Sequence, residues 1–178
     1  MNICLFGSGS KIIDKTYLDE GYKLGKQLAL NEHSLIFGGG NYGMMGAVAK
    51  GVYDNNGHII GITPEWMEKF ELLYPNCDEI IYTKSMDERK LKFMENSEAF
   101  IISPGGIGTL DEFFDIITLK KLLIHDNPLI IFNINNFYDK MLEMLTSMID
   151  EGFIRKEDSQ LIVVKNTVEE IISYLNNY

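Results

Sequence analysis

The chain has little cysteine, little histidine and no long apolar run, and each shortage argues against a class of protein. Its two cysteines, Cys4 and Cys77, are far apart and form no CxxC pair, so we expect no disulfide framework. The three histidines, His33, His58 and His125, are equally scattered and lack the spacing of zinc ligands. No apolar run approaches the roughly 20 residues that span a bilayer, so we expect no membrane partner.

Positive charge is also scarce, because 16 lysines and arginines face 26 aspartates and glutamates, for a net charge of −10. This balance argues against general nucleic-acid binding, which needs a basic face. It does not exclude a phosphate ligand, because local amides and one or two cations bind phosphate despite an unfavourable overall field. Residues 1–7 also lack the charged and small-residue regions of a signal peptide. We therefore expect a cytoplasmic protein with reduced thiols.

What the chain does contain is an alternation of apolar runs and amphipathic stretches. Its 178 residues, 46% of them hydrophobic, fit one domain, 1–178, with a sizeable core. The predicted strands are residues 3–6, 34–37, 58–62, 79–82, 98–102, 128–132 and 161–164. The predicted helices are residues 14–31, 43–55, 85–96, 109–123, 137–150 and 167–174, and residues 63–77 are predicted to be irregular. This order predicts an α/β fold, a parallel sheet of about seven strands with helices on both faces.

Three glycine-bearing turns follow predicted strands, and in an open parallel sheet ligands bind beyond those strand ends. They are residues 7–10 (GSGS), 38–40 (GGG) and 104–108 (PGGIG). The first lacks GxGxxG spacing, so it fits an ordinary loop as well as a phosphate or ribose contact, and no P-loop occurs. The third leads backbone N–H groups into a helix N-terminus, which is a seat for an anion.

The second turn precedes two further glycines, Gly43 and Gly46. Small residues at the start of this helix are expected to let helix and sheet pack closely. Packing explains the run 38–40 poorly, because three glycines raise the entropic cost of folding without burying a side chain.

Two cations lie on the predicted helix 85–96, where Ser85 and Glu88 form a capping-box pattern. At about 100° per residue, Arg89 and Lys90 share an arc with the apolar Met86, Phe93 and Met94. Either both stems snorkel at the edge of the apolar stripe, or one cation reaches the cleft and pairs with a ligand phosphate or a carboxylate.

A carboxylate, Glu112, follows the third turn. Thr109 with Glu112 also fits a capping box, as Thr167 with Glu170 does where no glycine turn precedes. The spacing alone favours a helix cap, whereas the glycine context favours a catalytic carboxylate.

Together these segments resemble the LONELY GUY family, often mislabelled lysine decarboxylase. Its PGGxGTxxE motif matches residues 104–112 at every fixed position, and its GGGxxGLMG element resembles residues 38–46. Its Arg-Lys pair matches Arg89 and Lys90. Residues 7–8, 61–64 and 151–154, with Tyr17, resemble further family segments, so the resemblance covers nearly the whole chain.

The resemblance implies a Rossmann-like homodimer with phosphoribohydrolase activity. Water would cleave the N-glycosidic bond of a cytokinin riboside 5′-monophosphate, releasing the free base and ribose 5-phosphate, without a metal or redox cofactor. By carry-over, Arg89 and Glu112 are the catalytic residues. The implied substrate contacts are Ser8, Gly39, Gly40, Gly43, Met44, Arg89, Lys90, Gly105, Gly106, Ile107, Gly108, Thr109, Asp111, Glu112 and Thr118.

The chemistry is consistent with these roles, because losing a nucleotide base develops positive charge on the ribose ring. Glu112 would stabilise that charge or orient the water, and Arg89 would hold the glutamate or a ligand oxygen. Lysine decarboxylation is disfavoured, because no lysine has the context of a pyridoxal-phosphate site.

The chain departs from the plant members at two places. Residues 119–121 are Leu-Lys-Lys where those members have Trp-Ala-Gln, and residues 63–77 match poorly, so that Glu71 is only a candidate for a glutamate expected there. Both regions bear on the preferred base. An enzyme selective for AMP or another purine nucleotide is therefore the near alternative, and a non-catalytic carrier or sensor of a nucleotide-like ligand is the distant one.

Overall fold

Seven parallel strands form a single sheet in the computed structural model, which describes residues 1–178. The strands are β1 (Asn2–Phe6), β2 (Ser34–Phe37), β3 (Ile59–Pro64), β4 (Glu79–Thr83), β5 (Ala99–Ile102), β6 (Leu129–Phe132) and β7 (Val163–Lys165). Their order across the sheet is β4-β3-β2-β1-β5-β6-β7, and every neighbouring pair is parallel. The predicted α/β class and parallel sheet are confirmed.

Six helices cover the two faces of the sheet. They are α1 (Lys15–Leu30), α2 (Gly43–Tyr53), α3 (Met86–Asn96), α4 (Ile107–Lys121), α5 (Asp139–Asp150) and α6 (Val168–Asn176). Short 3₁₀ helices add Glu65–Lys69, Ile134–Asn136 and Lys156–Leu161. One buried cluster joins α1, α2 and α6 to the sheet and a second joins α3, α4 and α5 to it, which gives the three-layer, Rossmann-like sandwich.

The first strand shows why these apolar runs form central strands. Ile3 and Leu5 pack in the cluster with α1, α2 and α6, whereas Cys4 and Phe6 pack in the cluster with α3, α4 and α5. All four side chains are at most 2% exposed. Since both faces are covered, the strand is apolar at every position rather than at every second one.

The two glycines at the start of α2 contact loops, which corrects the expectation that they pack a helix on the sheet. A Cβ on Gly43 would overlap the carbonyl oxygen of Ser8, and one on Gly46 would overlap that of Asn41. Gly43 also has φ +63°, a conformation that favours glycine. The close packing of α1 on α2 depends instead on Gly25 and Gly51, where a Cβ would overlap backbone of the facing helix.

The sheet has a switch point beside β1. The chain winds outward from β1 to β4 and then returns to place β5 on the other side of β1. The loops after β1, β2 and β5 therefore meet at one edge, where open α/β sheets bind ligands. No helix of the structure is both long and apolar enough to cross a membrane.

Candidate active site

The third glycine turn, predicted at residues 104–108, occupies residues 103–106 and leads directly into α4. The helix begins at Ile107, Gly106 is its N-cap, and no side chain caps it. Thr109 therefore lies inside the first turn, and the predicted capping box at Thr109 and Glu112 is wrong. The box predicted at Thr167 and Glu170 is formed. Glu112 is thus free of a capping role, and the first N–H groups of α4 remain available to an anion.

Hydrogen bonds to the loop after β1 fix the glycine turn. The backbone N–H and the hydroxyl of Ser103 both donate to the Phe6 carbonyl, at 2.9 and 3.0 Å, and the Ser8 N–H donates to the Pro104 carbonyl at 3.1 Å. Gly106 and Gly108 face open space, because apart from adjacent residues and nearby helix backbone no atom lies within 4 Å of where their Cβ would be. A ligand could therefore approach the backbone closely here.

Arg89 reaches the same edge from α3 and is 6% exposed, so it does not snorkel. Its Nε donates to the Ile62 carbonyl at 3.0 Å, and its Nη2 donates to the Gly38 carbonyl at 3.2 Å. The guanidinium also lies 5.2 Å from the centroid of the Phe93 ring. These contacts fix the cation while leaving Nη1 directed toward α4.

Glu112 faces that cation from α4, with its Oε1 3.8 Å from Nη1 of Arg89. Burial raises the pKa of the Glu112 carboxyl from 4.5 to about 7, although the charge of Arg89 lowers it. Burial prevails because removing a carboxylate from water costs more than a cation just beyond hydrogen-bond distance restores. Glu112 can therefore exist in either protonation state near neutral pH.

Glu71 brings a second carboxylate to the site. A Cβ on Gly9 or on Gly40 would collide with its Oε1. Burial raises the pKa of Glu71, and Arg89 opposes that rise. The glycine run after β2 is thereby explained in part, because Gly40 leaves room for Glu71 and Gly38 leaves room for the Arg89 guanidinium.

A more exposed ion pair lies beside the buried one. Lys90 Nζ is 2.8 Å from Asp111 Oδ1, and the two side chains are 22% and 53% exposed. Helices α3 and α4 are therefore bridged twice by adjacent residues.

Comparisons with known proteins agree with this architecture. The family model described as "Possible lysine decarboxylase" matches residues 45–175. Cytokinin riboside 5′-monophosphate phosphoribohydrolase LOG4 of Arabidopsis thaliana is 35% identical over 99% of this chain and 82% of its own. The probable cytokinin riboside 5′-monophosphate phosphoribohydrolase LOGL2 of Oryza sativa subsp. japonica is 34% identical over 99% of this chain and 72% of its own. The chain belongs to the LONELY GUY family.

Solved structures of other proteins show the same fold. The molybdenum cofactor binding protein of Rippkaea orientalis superposes with a TM-score of 0.74 at 22% identity, over 99% of this chain and 96% of that one. The molybdenum cofactor carrier protein of Chlamydomonas reinhardtii gives 0.72 at 21% identity, over 98% and 96%. At these identities the likeness is one of fold.

The structure brings the predicted LONELY GUY site residues to one edge, with one exception, Thr118. Met44 lies at this edge against Gly7, although its side chain is fully buried in the core. Thr118 lies in a groove of about 310 Å³ between α4 and α5 that Arg89, Glu112 and Glu71 do not line. At the edge itself, Ile107 is 88% exposed whereas Thr109 is buried.

One residue at this edge was not predicted from the sequence. Tyr138, just before α5, donates its hydroxyl to the Ser103 carbonyl at 2.7 Å. Its position in an apparently ordinary amphipathic stretch gives no sign of this contact. The only signal available was the neighbouring Asn133 and Asn136, residue types that favour turns.

The arrangement as a whole combines an uncapped helix N-terminus, a fixed buried cation and a carboxylate with a pKa of about 7. Such a set can hold a phosphate, stabilise developing positive charge and exchange a proton with water. No group of three or more histidine, cysteine, aspartate or glutamate side chains is placed to hold a metal ion.

Proposed function

We propose that this protein hydrolyses the N-glycosidic bond of cytokinin riboside 5′-monophosphates, releasing the free base and ribose 5-phosphate. The observation that carries the proposal is the buried Arg89–Glu112 pair beside the uncapped start of α4. The names of the curated relatives, at 32–35% identity over nearly the whole chain, support the same reaction.

The glycine turn and the first turn of α4 would bind the 5′-phosphate. The open faces of Gly106 and Gly108 let phosphate oxygens approach the backbone, and the positive end of the helix dipole favours their charge. Lys90, at the rim, adds a cation that its pairing with Asp111 holds in place. The predicted contacts of Ser8, Gly39, Gly40, Gly43, Thr109 and Asp111 belong to this proposal.

Glu112 would act on the ribose. As the bond to the base breaks, its electron pair leaves with the base and positive charge develops on the ring. Ionised Glu112 stabilises that charge and accepts a proton from the attacking water, whose oxygen bonds to the anomeric carbon. The base takes up a proton from solvent to leave in neutral form, and Glu112 releases to solvent the proton that it accepted, so that one water is consumed. Arg89 keeps the carboxylate oriented and lowers its pKa toward the working range.

Glu71 would be the second carboxylate of the reaction site. It lies close to Gly9 and Gly40. Burial raises the pKa of Glu71, as it raises that of Glu112, and in both cases the charge of Arg89 counters the rise. Arg89 thus acts electrostatically on both acids. We assign Glu71 to contact with the ribose or the base.

Decarboxylation of lysine, which the family description suggests, is not favoured by Lys90, the lysine beside the Arg89–Glu112 pair. Burial lowers the pKa of Lys90, but the hydrogen bond to Asp111 and nearby carboxylates outweigh it, and the pKa is raised. A lysine that forms a Schiff base must instead lose its proton readily.

Two other functions remain as competitors. A purine nucleotide nucleosidase that prefers AMP would use the same site with a different base pocket. A carrier of a nucleotide-like ligand is suggested by the names of the structural neighbours, although a carrier has no need of the buried pair.

The deciding experiment incubates the purified protein with isopentenyladenosine monophosphate and, separately, with AMP, and measures free base by chromatography. We expect base release, faster from the cytokinin nucleotide. Faster release from AMP would favour the purine nucleosidase, and binding without release from any nucleotide monophosphate would favour the carrier.

We further propose a cytoplasmic homodimer in which residues 1–178 form one nucleotide-binding domain. Both cysteines are free thiols, as a reducing compartment allows. Helix α5 has no buried residue and exposes Met144 and Met148, which suits a subunit contact. Light scattering at micromolar concentration should give twice the chain mass, and a monomer would contradict the dimer.

A further inference from the structure

We propose that Tyr138 is a positioning residue for the phosphate seat, holding the glycine turn through its hydroxyl. The inference rests on the proposed function for the identity of the ligand, a 5′-phosphate. Tyr138 would not contact the ligand itself, because it is only 2% exposed.

The hydroxyl of Tyr138 holds the turn in addition to the loop after β1. It donates to the Ser103 carbonyl at 2.7 Å, and Ser103 is fully buried. The Pro104 carbonyl is bonded to the Ser8 N–H. Consecutive carbonyls of the turn are thus bonded by two different segments of the chain, which restricts the rotation of the peptide planes.

A second set of contacts fixes Tyr138. Its backbone N–H donates to Asn133 Oδ1 at 2.7 Å, and the Asn133 amide donates to Asp139 Oδ1 at 2.8 Å. Asn133, which follows β6, is 4% exposed, and its N–H donates to the Lys165 carbonyl at 2.8 Å. The phenol is therefore anchored to the sheet rather than to a mobile surface loop.

The hydroxyl is protonated at every working pH. Burial raises the pKa of Tyr138 well above its usual range, although the backbone N–H of Gly105 opposes the shift. It therefore remains a hydrogen-bond donor to Ser103. Without it, a buried carbonyl would lose its partner, which proteins seldom tolerate without local movement.

Movement of the turn would weaken phosphate binding more than it would slow the cleavage of the N-glycosidic bond. Pro104 has no N–H and the Gly105 N–H faces the Tyr138 hydroxyl, so the amides that would hold the phosphate begin at Gly106, three residues after Ser103. Arg89 and Glu112, in contrast, are held by α3 and the body of α4. Losing the hydroxyl should therefore raise KM for the nucleotide and leave kcat nearly unchanged. A general loss of folded protein would lower apparent activity without this separation.

The test compares Tyr138→Phe with Tyr178→Phe in the full chain. The control also removes a phenol hydroxyl that donates to a backbone carbonyl, that of Asp126 at 2.8 Å, away from the turn. Calorimetry with ribose 5-phosphate as the probe gives the dissociation constant, and base release gives KM and kcat. For Tyr138→Phe we expect both the dissociation constant and KM to rise about three- to tenfold, the size of one hydrogen bond, with kcat within about twofold. Tyr178→Phe should match the unaltered protein.

An unchanged dissociation constant in a folded Tyr138→Phe protein would overturn the inference, as would a loss confined to kcat. Failure of the unaltered protein to bind ribose 5-phosphate would also overturn it. If the protein binds this probe but releases no base from any nucleotide, the proposed function fails while Tyr138 is still judged by binding. Should Tyr138→Phe not fold, Asn133→Ala displaces the same hydroxyl by removing the acceptor of the Tyr138 N–H, and the same rise is expected.

Discussion

Helices α3 and α4 are bridged by two ion pairs from adjacent residues, Arg89–Glu112 and Lys90–Asp111, and the two differ in almost every physical respect. The Lys90–Asp111 pair is shorter, at 2.8 Å against 3.8 Å, but its side chains are 22% and 53% exposed against 7% and 13%. Only the longer pair contains a carboxyl whose pKa is raised to about 7. The raised pKa therefore accompanies the greater burial of this pair and not a shorter separation.

The comparison shows how the same two helices can support chemistry and stability separately. A buried cation that donates to two backbone carbonyls cannot move closer to Glu112, so the carboxyl is only partly neutralised. An exposed pair has no such constraint, and water screens whatever attraction it gains. The buried pair thus resembles a functional site, and the exposed pair resembles an ordinary surface contact.

The largest expected effect comes from Glu112→Gln, which keeps the shape of the side chain and removes its charge. We expect kcat for base release to fall by about 10²–10⁴, the usual cost of losing a positioned acid–base group. The matched control is Glu95→Gln, on α3, which breaks only an exposed pair with Lys92 and should leave kcat within about twofold. Normal turnover of Glu112→Gln would remove Glu112 from the mechanism.

Arg89→Lys should have the next largest effect. Lysine keeps the charge but cannot replace the fork that donates to both the Ile62 and Gly38 carbonyls. We expect kcat/KM to fall about 10- to 100-fold, and the free energy of unfolding to fall by about 1–3 kcal/mol because a buried acceptor is left unpaired. Arg155→Lys makes the same change at an arginine that is 61% exposed and should alter kcat/KM less than twofold. Equal effects at both sites would contradict the importance of burial.

The pKa of Glu112 predicts how activity depends on pH. If the ionised carboxylate is the active form, kcat/KM should rise with pH, by up to tenfold per unit, and level off above about pH 7. The rising limb should disappear in Glu112→Gln. A profile that falls through pH 7 would assign Glu112 the role of a proton donor instead.

The raised pKa of Glu112 also predicts how the free energy of unfolding changes with pH. Since the folded pKa, about 7, is above the unfolded value near 4.5, the folded state binds more protons between these values. Glu112 therefore makes the free energy of unfolding fall as pH rises through this window, with no further change above it. Denaturant titrations of the unaltered protein and Glu112→Gln at pH 5 and pH 8 would expose the difference in slope.

Much of the fold and the position of the candidate site could be predicted from the sequence, whereas the remaining details depended on tertiary geometry. Glycine turns after apolar strands place residues 38–40 and 103–106 at one edge, because parallel strands share their carboxyl ends. The residue patterns singled out Arg89 and Glu112, and the family resemblance implied their catalytic roles. The capping box at Thr109 failed because α4 begins earlier, at Ile107, with Gly106 in an extended conformation as its N-cap.

Other contacts had no local signal beyond residue types that favour turns. Tyr138 meets Ser103 only because the loop after β6 turns through Asn135 and Asn136, at φ +50° and +59°. The space that Gly38 and Gly40 leave for charged side chains depends on segments distant in the chain. Periodicity describes one element at a time and cannot supply such pairings.

The smallest expected effect belongs to the Lys90–Asp111 pair. A double-mutant cycle with Lys90→Met and Asp111→Asn, followed by urea unfolding, should give a coupling energy below about 1 kcal/mol, because exposed pairs lose most of their attraction to water and to side-chain entropy. Raising the salt concentration from about 0.1 M to 1 M should reduce it further, since the screening length shortens to about 3 Å. A coupling above about 2 kcal/mol that salt does not change would mean that this pair behaves as a buried one. The contrast between the two bridges would then depend on their positions along the helices rather than on their exposure.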